Sequence, residues 1–288
     1  MVDFSPLYDA LARVLPFDCL HARFMQQAMI GLLLIAPAAA AMGVQVVNFR
    51  MAFFADAISH SAFAGVALGL IFAVSPHWTM PLFGLIVGLT IMAMQRRSSL
   101  SSDTVIGVIF AAVMAFGLAM VSRDQSVARD LQRFLYGDIL TITDIELIGL
   151  ALLFTLVMAF QAWGYNRLLY IGLNPVVAEA HRVRVACYQY TFAGLLALVV
   201  MLSVWAVGVL LVTALLIMPA AAARNFARSA GVMFWWAMLV SVTSAVGGLL
   251  ISAQDWARTA TGPTVVLCGF AWFLASYAVA MARRRLPR

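Results

Sequence analysis

Lysine is absent from this chain of 288 residues: all 18 basic residues are arginine. A Walker-type phosphate loop needs its lysine on the nucleotide phosphates, so the chain hydrolyses no ATP by that route. Any ATP-driven work belongs to another subunit. Glutamate is almost absent as well. Glu146 and Glu179 are the only two, and neither adjoins a histidine in an HExxH pattern, which excludes a metalloprotease of that type. Asp56 is the only aspartate well inside an apolar run, whereas an intramembrane aspartyl protease needs two. An enzyme is not expected. The three cysteines, Cys19, Cys187 and Cys268, stand far apart with no CxxC spacing, a pattern that suggests neither a disulfide framework nor a zinc cluster.

What the chain has instead is apolar surface. Hydrophobic residues make up 64% of it and charged residues 10%. About 184 apolar residues are far more than a soluble domain of this size buries. At roughly 20 residues per crossing they supply about nine membrane spans. The fold expected is an all-α polytopic membrane protein in one compact domain. The runs place spans near 26–48, 51–74, 79–95, 103–122, 144–163, 186–204, 206–223, 231–251 and 262–281. The stretch 191–223 carries no charge and is too long for one crossing. It divides around residues 203–208; left whole, as one long tilted helix, it gives eight spans. Residues 36–40, Ala-Pro-Ala-Ala-Ala, resemble a signal-peptide cleavage site, but the long preceding segment with three aspartates fits a first spanning helix better.

Arginine placement sets the orientation, because loops on the cytosolic side carry the excess. With nine spans and the C-terminus inside, twelve arginines fall on the cytosolic side and six outside. The net charge of +6 is thus read as loop arginines at a lipid bilayer, with no nucleic-acid partner. Residues 1–25 are then an extracytoplasmic segment, 26–281 the transmembrane domain, 164–185 a cytosolic connection within it and 282–288 a cytosolic basic tail. A bacterial inner membrane, N-terminus out, is the expected location.

Polar residues inside the spans carry the functional information, since each ionisable group at membrane depth costs about 2.5–3.5 kcal/mol on insertion scales. In the second span Asp56, Ser59 and His60 stand at i, i+3 and i+4, on one helix face. Two readings fit that spacing. The acid and base bond to each other or to a neighbouring helix, or they ligate a passing divalent metal such as zinc or manganese. Two ligands do not close a site, and a two-fold dimer would bring a second pair. Ser61, Gly65 and Gly69 form a small-residue stripe on the same helix, read as helix packing. His77 falls in a turn after that span and is read as solvated.

These residues resemble the membrane permease subunits of ATP-binding-cassette importers for zinc, manganese and iron (the ABC-3 type). The resemblance lies in Asp56-Ala57-Ile58-Ser59-His60 and Gly65-Val66-Ala67-Leu68-Gly69. It continues in Asp103-Thr104-Val105-Ile106-Gly107 and in Leu135-Tyr136-Gly137-Asp138-Ile139-Leu140. Leu215-Leu216-Ile217-Met218-Pro219-Ala220-Ala221 and Gly262-Pro263-Thr264-Val265-Val266-Leu267 complete it. The blocks keep the family's order over residues 25–280. The resemblance implies a type II importer fold, a second permease copy, an ATPase subunit dimer on the cytosolic face and an extracytoplasmic metal-binding protein. It makes Asp56 and His60 the metal residues, with Ser59 beside them. The divalent metal, zinc or manganese, is cargo, and no permanently bound cofactor is implied. Ala64 departs from the family, which commonly has proline there.

The other blocks read as follows. Ser101 and its neighbours cap the fourth span. Pro219, near the end of the seventh, frees a backbone carbonyl and reads as a helix terminus, with a hinge as the alternative. The connection 123–143 suits either an amphipathic surface helix that docks a binding protein or a solvated connector. After the fifth span, Asn174 caps and Pro175 opens a short charged helix. In the resembling family this is the coupling helix that seats on the ATPase, giving Pro175, Ala178, Glu179 and Arg182 that role here. The family usually has glycine four residues after the alanine, where this chain has Arg182. Two other functions compete: a stand-alone secondary transporter, against which no internal repeat is visible, and a permease for a metal chelate or organic substrate, whose cavity would not require an acid and a base on one helix.

Overall fold

The computed structural model describes Tyr8 and residues 18–122 and 139–285. Helices account for nearly all of them, in the order α1 (Arg23–Asn48), α2 (Ala52–Ile71), α3 (Pro76–Arg97), α4 (Ser102–Val121), α5 (Asp144–Leu173), α6 (Pro175–Ala180), α7 (Val185–Val207), α8 (Val209–Phe226), α9 (Ala230–Ser252) and α10 (Thr261–Arg285). Among the described residues no strand is present, and nine helices, all but the six-residue α6, are long and apolar enough to cross a membrane. Residues 123–138 of the expected connection 123–143, and most of the expected segment 1–25, lie outside the described residues.

The expected division of 191–223 falls at Gly208. Its φ of 85° and ψ of 163° suit only a residue without Cβ, so one glycine ends α7 and starts α8 in a new direction. Trp205 on α7 lies beside Glu146 at the start of α5, while Tyr188, at the other end of α7, meets Arg167 late in α5. Reversal at Gly208 thus gives nine candidate crossings among the described residues and not eight. The nine crossings place the start of α1 and the end of α10 at opposite ends of the bundle. The end where α1, α3, α5, α8 and α10 finish is the arginine-rich end, carrying Arg50, Arg96, Arg97, Arg182, Arg184 and Arg224.

Two boundaries differ from expectation. The fifth span was expected to close at residue 163, where the apolar run meets Gly164-Tyr165-Asn166-Arg167, yet α5 continues to Leu173 because Leu168 and Ile171 turn into the core. Pro219 does not end α8, which runs on to Phe226. The ring removes one backbone bond, and the small residues after it keep the turn packed.

α1 is the hub. Residues 35–46 are buried almost without exception, and the helix packs against α5, α8 and α9. The closest approach is at Gly43, where a Cβ would lie 1.8 Å from the carbonyl oxygen of Leu216 on α8. Around this hub α2, α3 and α4 form one group joined to α7, and α8, α9 and α10 form another. Polar glue ties α1 to α5: Gln161 Nε2 donates to the Ala41 carbonyl at 2.6 Å, and Gln45 Nε2 donates to Gln161 Oε1 at 3.4 Å, both side chains buried. At the opposite end Asp144 accepts from Tyr8 (2.6 Å), Gln27 (2.8 Å) and Arg23 (2.9 Å), fastening the start of α5 to that of α1. Burial and the Asp144 carboxylate raise the Tyr8 phenol above its ordinary pKa.

Candidate metal-pathway site and coupling elements

Asp56 and His60 lie in the first half of α2, about 6 and 12 Å from its start at the arginine-rich end. Burial along α2 is uneven. Ala55, Ala57, Ile58, Ser59 and Ser61 are buried by α3, α4, α7 and α8, whereas Phe53, Asp56, His60 and Phe63 are not fully covered. Those four stand at i, i+3, i+7 and i+10, one stripe of the helix. The acid and base therefore sit on a face that the described residues cover only in part. The His60 ring meets Phe110 of α4 edge-on and Phe63 obliquely, with centroids 5.4 and 5.7 Å away.

Neither side chain is spent on a partner. Among the described residues Asp56 and His60 form no hydrogen bond and no ion pair with each other or with a neighbour. His60 Nδ1 and Ser59 Oγ are buried and unpartnered. A carboxylate and an imidazole nitrogen one turn apart are donors of the kind zinc and manganese accept, whereas Ser59, expected beside them, is fully buried and off the stripe that carries them. Within one chain the set stays incomplete: no cluster of three or more His, Cys, Asp or Glu occurs among the described residues.

Helix approach holds α2 in place. A Cβ on Gly65 would lie 2.7 Å from Met80 Cα, and one on Gly69 would lie 2.5 Å from Thr79 Oγ1, both on α3. On the α4 side the backbone of Ala64, in place of the family's proline, stands 3.3 Å from where a Cβ of Gly117 would be.

The connection after α5 folds as a separate cap-and-turn unit. Asn174 Oδ1 accepts from the amides of Val176 and Val177, and Pro175 fills the first position of α6. Pro175, Glu179 and Arg182 are presented outward, together with Val176 and Val177. Ala178 is fully buried against Ile171 and Val185, so its side chain faces the permease and cannot reach a partner. Arg182 has φ 61°, the left-handed position of a Schellman closure in which Val183 N–H reaches Ala178 O and Arg182 N–H reaches Glu179 O. A family glycine at that position suits this geometry. Ser101 caps α4 as expected, accepting from the Thr104 amide.

One constellation is invisible in the sequence. Trp205 Nε1 donates to Glu146 Oε1 at 2.7 Å, and the indole lies 3.9 Å from the His77 ring, centroid to centroid. His77 remains exposed but is not merely solvated. It helps join α3, α5 and α7 beside a cavity of about 190 Å³.

A bundle of nine apolar helices with polar donors turned to an open stripe, and a short capped helix projecting at the arginine-rich end, defines a polytopic membrane permease. The chain belongs to the ABC 3 transport family, whose model matches residues 21–280. It is similar to the high-affinity zinc uptake system membrane protein ZnuB of Haemophilus influenzae, at 36% identity over 82% of this chain and 90% of that one. It is also similar to the manganese import system permease protein ScaB of Streptococcus gordonii, at 32% identity over 92% of this chain and 94% of that one. Among solved structures, PsaBC from Streptococcus pneumoniae in complex with Fab superposes with a TM-score of 0.78 at 27% identity, covering 98% of each chain. The chain is a permease subunit and not an enzyme; ATP hydrolysis lies in a separate subunit.

Proposed function

We propose that this permease imports a divalent transition metal across a bacterial inner membrane, zinc in preference to manganese, through a pathway formed by two copies of the chain. The observation that carries the reading is the pair Asp56 and His60, without a hydrogen bond or ion pair among the described residues, on a stripe of α2 that those residues cover only in part. Facing lipid, that stripe would bear the full insertion cost of two ionisable groups. Facing a second copy across a two-fold axis, it supplies two carboxylates and two imidazoles to one central site. Four such ligands match the tetrahedral preference of zinc. The imidazole share favours zinc over manganese, and the zinc-uptake relative is the more similar of the two compared above.

In this reading the arginine-rich end faces the cytosol, as positive charge in short loops favours. A binding protein releases the ion at the opposite face, and Asp56 and His60 exchange for part of its hydration shell. An ATPase dimer seats on α6, with Pro175, Glu179 and Arg182 at the contact, and its closure moves α5 and α7 through the buried Ala178. Weak, incomplete coordination in each copy lets the ion leave.

The test is uptake of radioactive zinc and manganese by cells whose only importer is this system. Asp56→Asn and His60→Ala each abolish uptake while the permease still co-purifies with its ATPase. Wild-type uptake in both variants refutes the pathway. Uptake that survives deletion of the ATPase would instead mark a secondary transporter.

A further inference from the structure

We infer that the arginine-rich end carries a binding site for the phosphate of an anionic phospholipid, built from Arg167, Arg184 and Tyr188, with Arg182 at its rim toward the proposed ATPase contact. These residues line a pocket of about 430 Å³ together with His181 and Cys187. Among the described residues no carboxylate lines it. Arg167 comes from α5, Arg182 and Arg184 from the turn after α6, and Tyr188 from the first turn of α7, so three elements converge on one basic hollow. The Arg167 guanidinium donates to the Tyr188 hydroxyl and lies 5.4 Å from the centre of its ring, which fixes its direction and leaves most of its five N–H groups for a ligand. Arg184 has no ion pair or side-chain hydrogen bond among the described residues.

Depth selects the ligand. Glu146, held by Trp205, and Arg167 are separated by about 32 Å of α5, the thickness of the hydrocarbon core. Arg167 therefore stands at headgroup level. One turn nearer the bilayer centre on the same face is Trp163, 89% exposed, where an interfacial aromatic belongs. Leu152 and Leu156 continue that exposed apolar face, a wall for acyl chains beneath the phosphate. This exposed face of α5 lies outside the packing of α5 on α1, α6 and α7. Its exposure to lipid rests on the proposed dimer forming through α2. Guanidinium forks match phosphate oxygens bidentately, and basic pockets on the cytoplasmic side are suited to anionic headgroups.

The experiment uses the delipidated permease–ATPase complex in detergent, without metal, followed by native mass spectrometry with phosphatidylglycerol, phosphatidylcholine or inorganic phosphate added. Phosphatidylglycerol should bind at least tenfold more tightly than phosphatidylcholine. The Arg167→Gln/Arg184→Gln double variant should lose that preference, and Arg184→Gln, which leaves the Arg167–Tyr188 contact intact, should lose part of it. Equal binding of the two lipids, or an unaltered preference in the double variant, overturns the site. Inorganic phosphate binding as tightly as the lipid assigns the pocket to a free anion and overturns the lipid reading. Loss of the ATPase from the double variant with lipid binding unchanged assigns the arginines to the protein partner and also overturns it. Zinc uptake is measured separately, so failure here leaves the metal pathway standing.

Discussion

The His60 ring stands edge-on to Phe110, 5.4 Å between centroids, with its Nδ1 buried and without a hydrogen bond. An aromatic wall on one side and an open stripe on the other orient the imidazole without using its nitrogens. His60→Gln keeps a polar side chain of similar reach but not the imidazole, so metal uptake should fall by at least tenfold while the thermal midpoint of the purified permease moves little. Phe110→Ala should keep the ligand but free the ring, weakening uptake less than His60→Gln. A Phe110→Ala defect as deep as that of His60→Gln would mean that the ring wall, not the imidazole, limits transport.

Gly43 and Leu216 set the tightest constraint on the bundle. A Cβ at position 43 would meet the Leu216 carbonyl oxygen at 1.8 Å, and the obstacle is backbone, which cannot rotate away. Gly43→Ala must therefore separate α1 from α8, at a cost above the usual overpacking range of about 1–3 kcal/mol. Loss of the folded, detergent-stable permease is the expected outcome, read as aggregation on size-exclusion chromatography. Gly107→Ala, at a glycine with nothing within 4 Å, is the control and should leave the elution profile unchanged.

The Trp205–Glu146 bond makes a prediction about the opposite end. A hydrogen bond to a charged acceptor contributes about 1.5–3 kcal/mol, and here it spans α7 and α5. Trp205→Phe removes the donor and most of the surface against His77, so the thermal midpoint should drop. Glu146 also closes a capping box with Thr143, whose amide donates to it at 2.8 Å. Glu146→Ala loses both contacts and should be the more destabilised of the two, a ranking that differential scanning fluorimetry reads directly.

How much of this was legible in the sequence follows from the range of each interaction. Asp56 and His60 were visible because a helix brings residues four apart together, and because charge in an apolar run is conspicuous. Asn174 and Pro175 were visible because caps are local. The His77–Trp205–Glu146 group was not, since its members come from three helices and each alone has an ordinary explanation. Likewise Gln45 and Gln161 carry no mutual signal across 116 residues. The end of α5 was misplaced because an amphipathic helix leaving the bilayer loses its apolar run while keeping its inner face, here Leu168 and Ile171. Ala178 was assigned to the partner by position in a motif, whereas its direction depends on the register of a six-residue helix that only packing fixes.

Arg182 gives the last prediction, one in which stability and coupling move in opposite directions. Its φ of 61° closes α6, and a residue with a Cβ held left-handed is destabilised by roughly 1 kcal/mol relative to glycine. Arg182→Gly should therefore raise the thermal midpoint slightly, as the geometry of the closure relaxes. In the proposed complex the same substitution removes a cation presented beside Pro175 and Glu179, so permease-dependent stimulation of the ATPase should fall. Arg182→Ala separates the two effects: it loses the charge without gaining glycine's freedom, and should match Arg182→Gly in ATPase stimulation while showing no rise in the midpoint. If Arg182→Ala stabilises as much as Arg182→Gly, the relief comes from losing charge crowded near Arg167 and Arg184, and the backbone explanation is wrong.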